Sequence, residues 1–479
     1  MGMLVLDEYT DGWYIHKTKY DYADHIMDNY KEDMKAMVDK DFNHPSVIMY
    51  STGNEVSETA QKKGIELCGE MTEWLHELDD TRPVTCGINI FFNFLSSMGF
   101  GVYSDKKADE AAKDATKKKA VGSEFYNTVA GIFGAGFMKT GATLHACDVK
   151  TRDAYARMDI AGYNYGIKRY RHDLKKYPQR LILGSETFCA DACRFMDIAK
   201  ENPRVIGDFV WSGMDYLGEV GIGSWEYDDY APRFDSGCGW ISAGSGRIDL
   251  TGKPLAEMKY TRVAFGLDKI GLAVVPVHHT HHKHSPSAWK MSNAIESWTF
   301  EGCEGKSAAV EVYSRYPYVS LYVNDTCVGT KRTGKDGRTS FKTVYQPGIL
   351  RAVALDHNRN TVAETSLETA GKETVLQAEP EKNHVKLNED LCYVRLRYTD
   401  KNGTVKPLVR GDIHVEVEGG TLLGLGSACP YYPDSYLTDV TDTYYGEAMA
   451  VIRPDKEGIL SVHAYSSAGN DTENILVKG

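Results

Sequence analysis

Two carboxylates close two apolar runs. Glu55 follows Val47-Ile48-Met49-Tyr50-Ser51-Thr52-Gly53-Asn54, and Glu186 follows Arg180-Leu181-Ile182-Leu183-Gly184-Ser185. Both runs have the length and apolar content of a buried parallel strand, with the acid delivered at its C-terminal end. In an α/β barrel that end is the face on which active sites are built. A pair of acids there is suited to cleaving a glycosidic bond, one protonating the departing oxygen and the other capturing the sugar covalently. Such roles require opposite environments, so Glu186 is expected to stay ionised and Glu55 to hold its proton until the bond breaks.

Other residues fall in the same pattern. Asn54 puts an amide next to Glu55, placed to bond a sugar hydroxyl. Asp159-Ile160-Ala161-Gly162-Tyr163-Asn164-Tyr165 is strand-like and ends in a phenol, Tyr165, suited to donating to the nucleophile and setting its charge. Gly207-Asp208-Phe209-Val210-Trp211 ends in an indole that can stack on a pyranose face. Asp215 and Glu219 follow in a Gly-rich loop as weaker candidates for hydroxyl contacts. Each has a plainer reading when taken singly. Asn-Glu caps helices, strand-end glutamates pair with loop cations, and Tyr and Trp pack in cores.

The tract His278-His279-Thr280-His281-His282-Lys283-His284 invites a metal reading, but it sits in an expected linker without zinc-protease spacing. No metal ligand is assigned from it. No phosphate loop or dinucleotide fingerprint is present either, so no cofactor is expected.

The elements that must position these groups alternate. Strands are predicted at Met3 to Leu6, Val47 to Ser51, Pro83 to Cys86, Ile160 to Tyr163, Leu181 to Gly184 and Gly207 to Trp211. Between them, Tyr22 to Lys40 and Gly64 to Leu78 carry apolar residues at helical spacing. The connection from Gly87 to Asp153 is long. It contains a solvated helix expected at Ser104 to Lys119, and the aromatic segments Phe91-Phe92-Asn93-Phe94 and Phe125-Tyr126-Asn127 either wall the barrel mouth or pack among themselves. After Leu267 the period becomes that of antiparallel strands. The fold class predicted is α/β, a partial TIM (β/α)8 barrel over 1–267, followed by two all-β Ig-like sandwiches over 268–370 and 371–479.

Bulk properties exclude several partners. A formal charge of -12, with acids spread along the 479 residues, disfavours nucleic acid and anionic membranes. No run is long enough to cross a membrane, and no basic leader precedes the first strand. The ten cysteines are scattered through predicted elements as reduced thiols would be, which favours the cytoplasm.

Taken together, Val5-Leu6-Asp7-Glu8, Asn43-His44-Pro45-Ser46-Val47-Ile48, Ser51-Thr52-Gly53-Asn54-Glu55, Gly162-Tyr163-Asn164-Tyr165, Gly184-Ser185-Glu186-Thr187 and Asp208-Phe209-Val210-Trp211 resemble glycoside hydrolase family 2, the β-galactosidase and β-glucuronidase family. The resemblance implies a retaining mechanism, with Glu55 after the fourth barrel strand as acid/base and Glu186 at the end of the seventh as nucleophile. It further implies Asn54 on the sugar 2-hydroxyl, Tyr165 beside the nucleophile and Trp211 on the site floor. The substrate expected is a β-galactoside in an oligosaccharide or glycoconjugate. β-Glucuronidase is the second enzymatic reading, and a decayed carbohydrate-binding scaffold the non-catalytic one. By the same resemblance the chain starts at the family's third barrel strand. An N-terminal sandwich, an Ig-like domain and two barrel strands would then come from a separately encoded companion polypeptide, or the chain is a truncated remnant; a homo-oligomer is the other partner expected.

Overall fold

The computed structural model describes residues 2–104, 106, 132–231, 238–285, 287 and 289–479. Their contacts divide the chain into two compact units, Met1–Trp211 and Ser212–Gly479.

The first unit is built on one parallel sheet whose six strands run in sequence order: β1 (Val5–Glu8), β2 (Val47–Asn54), β3 (Val84–Asn89), β4 (Ile160–Asn164), β5 (Leu181–Thr187) and β6 (Val205–Val210). Each connection crosses over through a helix, as parallel neighbours require. Helices α1 (Ala23–Asp41) and α2 (Lys62–Leu78) link β1 to β2 and β2 to β3. Between β3 and β4 lie α3 (Ile90–Ser97), α4 (Ala135–Gly141) and α5 (His145–Tyr155), followed by α6 (Tyr170–Lys176) and α7 (Ala192–Glu201). Ile26, Tyr30, Met34, Met37 and Val38 form the buried stripe of α1, a three-to-four spacing that gives the helix one apolar face. Met49, Ile160 and Leu183 from β2, β4 and β5 pack together on the sheet, with Leu6 and Leu181 at their margin. The predicted α/β partial barrel is therefore the architecture found.

One side chain sets where β2 begins. Arg82 Nε donates to the Val47 carbonyl (2.7 Å), and its Nη2 reaches the carbonyls of Phe42 and His44 (3.2 Å each). The guanidinium thereby satisfies carbonyls left open where α1 ends. The solvated helix predicted at Ser104 to Lys119 lies, apart from Ser104 and Lys106, outside the described residues, and so does Phe125-Tyr126-Asn127. Phe91-Phe92-Asn93-Phe94 falls on α3, where Phe91 and Phe92 are buried and Phe91 meets Phe137 edge-on at 5.2 Å. Packing within the insertion therefore accounts for Phe91.

The second unit holds two sandwiches. In the first, β7 (Ile270–Val274), β8 (Ser307–Ser314) and β11 (Arg338–Val344) face a four-stranded sheet of β9 (Tyr318–Val323), β10 (Thr326–Arg332), β12 (Ile349–Leu355) and β13 (Thr361–Glu368). Val310, Val312, Leu321, Leu350 and Trp298 are wholly buried between the two sheets. The other sandwich packs a four-stranded sheet on a five-stranded one, over strands from Val375–Pro380 to Gly469–Lys478, around Val394, Leu396, Ile452, Leu460 and Val462. Residues 212–267 group with these sandwiches by contact. The Ile241 amide donates to the Pro430 carbonyl (2.9 Å) and the Tyr432 amide to Gly239 (2.7 Å), which ties the Gly-rich loop to the last sandwich. No helix among the described residues is long and apolar enough to cross a membrane.

Gly53, two residues before Glu55, has no room for a side chain. An added Cβ would stand 2.9 Å from Nε1 of the fully buried Trp13 and 3.0 Å from Val56 Cγ1. Trp13 is itself fixed, since its Nε1 donates to the Thr52 carbonyl at 3.0 Å. Gly53→Ala is therefore expected to cost about 1–3 kcal/mol in urea denaturation.

Candidate active site

The candidate residues meet because neighbouring strands end in register. Asn54 of β2 lies opposite Gly87 of β3, Asn89 of β3 opposite Asn164 of β4, and Asn164 opposite Glu186 of β5. Two chain reversals then turn side chains across the strand ends. Glu55 (φ 46°) and Tyr165 (φ 56°) both adopt the left-handed conformation, which is uncommon for residues with a Cβ and clusters at functional sites. Backbone bonds hold each in place, from the Glu55 amide to the Gly87 carbonyl (2.8 Å) and from the Tyr165 amide to the Glu186 carbonyl (2.7 Å).

Asn164, 1% exposed, stands at the centre. Its Nδ2 donates to Asn54 Oδ1 (2.8 Å) and lies 3.5 Å from Glu55 Oε1, while its Oδ1 accepts from Ser185 Oγ (2.6 Å). Asn89 has two functions. Its Oδ1 caps α3 by accepting from the Phe92 amide, and its Nδ2 donates to Glu55 Oε1 at 2.7 Å. Tyr165 donates its hydroxyl to the Glu186 carboxylate, and its ring packs on Phe188 at 4.4 Å. Lys17 supplies positive charge, with Nζ donating to the Asn54 carbonyl (2.8 Å) and to Asp11 Oδ1 (3.1 Å). A cleft beside Glu55 is lined by residues including Lys17, Val56, Asn89, Phe92 and Tyr103.

Both carboxylic acids are pushed upward. For Glu186, 9% exposed, burial is the first cause and the charge of Glu55 the second, with the Tyr165 hydrogen bond opposing them. Desolvation raises Glu55 as well, against the pull of Lys17 and Asn89. Two such acids resist double ionisation. Asn89, Asn164 and Lys17 stand around Glu55, while the Tyr165 hydroxyl and the charge of Glu55 face Glu186.

Of the residues singled out in the sequence, Glu55, Glu186, Asn54 and Tyr165 are drawn together. The amide of Asn54 is engaged by Asn164 and by Asp11 Oδ1 (3.2 Å). Trp211 follows β6, its amide bonded to the Thr187 carbonyl (3.0 Å) and its indole half-buried. Asp215 and Glu219 belong to the second unit. Asp215 is buried and accepts from the Gly244 amide (2.9 Å), which gives it a loop-holding role, and the exposed Glu219 accepts from the Tyr216 hydroxyl. Sequence reasoning missed Lys17, Asn89 and Asn164 as site residues. Asn89 ends the apolar run Val84–Asn89, so the strand-end rule that found Glu55 would have found it too. No local signal marks Lys17.

Residues 12–146 match the glycosyl hydrolases family 2 TIM barrel domain, and residues 376–474 match glycoside hydrolase family 2 C-terminal domain 5. A domain of unknown function (DUF4982) matches residues 305–363. The chain belongs to glycoside hydrolase family 2. Among family relatives, beta-galactosidase BoGH2A of Bacteroides ovatus is 23% identical over 95% of this chain and 52% of its own length. A putative beta-glucuronidase of Formosa agariphila is 22% identical over 99% of this chain and 43% of its own. The chain thus spans about half the length of the curated relatives it matches. A crystal structure of a family 2 member from Bacteroides cellulosilyticus superposes with a TM-score of 0.80 at 27% identity, covering 100% of this chain and 55% of that one. A β-glycosidase from Bacteroides vulgatus shares the fold, with a TM-score of 0.67 at 19% identity, covering 99% of this chain and 56% of that one.

The raised carboxyl of Glu186 has a consequence for stability. An acid whose folded value lies above its unfolded one binds more protons in the native state, so its contribution is complete below the ordinary carboxylate range and is lost as pH rises through the folded value. Glu186→Gln should therefore stabilise the fold by about 1–2 kcal/mol at pH 8 and leave it unchanged at pH 4, as measured by urea denaturation at the two pH values.

Proposed function

We propose that this chain carries the catalytic pair of a retaining β-glycosidase that hydrolyses β-galactosides in oligosaccharides or glycoconjugates. The observation that carries the reading is the amide bridge of Asn164, which joins the Asn54-Glu55 and Ser185-Glu186 strand ends into one cluster. Glu186 attacks the anomeric carbon while Glu55 gives its proton to the departing oxygen. In the second half Glu55 takes a proton from water, which attacks the same carbon and releases Glu186 as a carboxylate.

The coupling between the two acids supports this cycle. Positive charge developing on the sugar favours the ionised form of Glu186, with the Tyr165 hydroxyl already donating to it. Once Glu186 is esterified its charge is gone, and the acidity of Glu55 rises, which turns the spent acid into the base the second step needs.

The field of the cleft favours a neutral sugar. Glu8, Asp11, Glu55 and Glu186 act on one another there, with Lys17 as the opposing cation. A uronate carboxylate entering that field meets like charge, which supports a galactoside over a glucuronide. Apolar side chains stand exposed on both edge strands, Val5 on β1 and Ile206 and Phe209 on β6. Those edges support closure of the sheet by further strands, from a companion polypeptide or a second copy. Ten cysteines that form no disulfide in the described structure, most of them buried, support a reducing compartment such as the cytoplasm.

Glu55→Gln tests the acid/base assignment. Assayed alone and with the polypeptide encoded immediately upstream, it should lose about 10²–10⁴-fold in kcat/KM on an alkyl β-galactoside. Azide should restore turnover of an activated aryl β-galactoside, yielding the β-galactosyl azide. Loss without rescue on folded protein contradicts the role of Glu55, and a preference for the aryl β-glucuronide contradicts the sugar.

A further inference from the structure

The histidine tract is not uniform once folded. His278 and His279 end a short 3₁₀ turn, Val277–His279, that follows β7, and their rings lie 3.7 Å apart. Both Nε2 atoms face one oxygen from fifty residues earlier in the chain. Asp229 Oδ2 is 2.9 Å from Nε2 of His279 and 3.9 Å from Nε2 of His278. One donor atom from each of the three residues lies within 4.8 Å of the others.

We propose that Asp229, His278 and His279 form a binding site for one divalent transition-metal ion of the zinc class, which ties the loop around Asp229 to the end of β7. Two imidazoles and a carboxylate form a nitrogen and oxygen donor set that suits zinc better than magnesium or calcium. Tetrahedral zinc with bonds of about 2.0–2.2 Å separates its ligand atoms by roughly 3.3–3.6 Å. The separations of 2.9 and 3.9 Å bracket that spacing and all three ligand atoms lie within 4.8 Å of one another, so side-chain adjustment admits the ion, with water completing the set.

The surroundings hold the donors in place as a site requires. Tyr227 stacks on the His279 ring at 3.8 Å and 20°, and His279 is 4% exposed. The Asp229 carbonyl accepts from Arg410 Nη1 (3.0 Å), whose guanidinium covers the Tyr230 ring. Nδ1 of His278 and Nδ1 of His279 are buried without a hydrogen-bond partner. Two adjacent imidazoles that share one carboxylate oxygen and have no other acceptor or donor are under-satisfied for a purely structural hydrogen bond. The rest of the tract is arranged differently. His284 stacks on Trp225 at 4.3 Å and its Nδ1 is bonded to the Ser285 carbonyl (2.7 Å), while His281 is exposed.

The test uses the full chain, stripped with a chelator and titrated with Zn²⁺ by calorimetry, with metal content measured after gel filtration. One equivalent is expected, with a rise in melting temperature, and Co²⁺ in its place should give the visible absorption of a tetrahedral site. Asp229→Asn and His278→Gln, both at partly exposed positions, should weaken binding at least tenfold and abolish the thermal shift, whereas His281→Gln should leave both within twofold. If the wild type binds no zinc, or if Asp229→Asn binds as the wild type does while His281→Gln fails, the proposal is overturned and the tract is an adventitious chelator. Circular dichroism checks each variant, and because Asp229 and His278 are tested separately, a fold lost in one does not remove the other.

Discussion

The site depends on the register of a parallel sheet, expressed through one buried amide. Asn164 reaches the Asn54-Glu55 strand end on one side and Ser185 on the other only because β3, β4 and β5 place Asn89, Asn164 and Glu186 on one level. Side chains alternate faces along a strand, so a slip of one residue would send that amide to the opposite face and separate the two carboxylates. The left-handed turns at Glu55 and Tyr165 follow from the same constraint, since each swings a functional side chain sideways as its strand stops. Their strain is held by the amide bonds to Gly87 and Glu186 and by the close packing that leaves Gly53 no room for a Cβ.

The electrostatics follow from that crowding. Burial raises both acids, with the charge of Glu55 adding to it at Glu186 and that of Asp11 at Glu55, which disfavours the fully ionised pair. The same crowding works against the fold at neutral pH, the usual opposition between activity and stability. It explains too why donors crowd the pair. Asn89, Asn164, Tyr165 and Lys17 each offer N–H or O–H or positive charge where charge has to come and go. Apolar residues stand exposed on β1 and β6, the edge strands of this sheet among the described residues. Closing those edges would stiffen the outer strands whose inner neighbours carry the pair.

Much of the architecture was legible because periodicity is a local property. The run Val47–Asn54 reads as a buried strand from composition alone, and the stripe from Ile26 to Val38 reads as a helix face. The two acids and Tyr165 were legible as polar residues at the ends of such runs. Lys17 was not, because its function comes from contacts with residues tens of positions away, which no window along the chain contains. The grouping of 212–267 with the sandwiches was hidden likewise, since it rests on pairings such as Ile241 with Pro430. The histidine tract shows the same limit. Spacing could not reveal that Asp229 meets two of its five imidazoles.

In the proposed cycle Glu186 becomes covalently bonded to the sugar. A 2-deoxy-2-fluoro-β-galactoside with an activated leaving group, incubated with the chain alone and with its upstream-encoded polypeptide, should add one fluorosugar to the mass of the protein. Peptide mapping should then place it on Glu186. Attachment to another residue, or no attachment to folded material under either condition, would contradict the role of Glu186 as nucleophile.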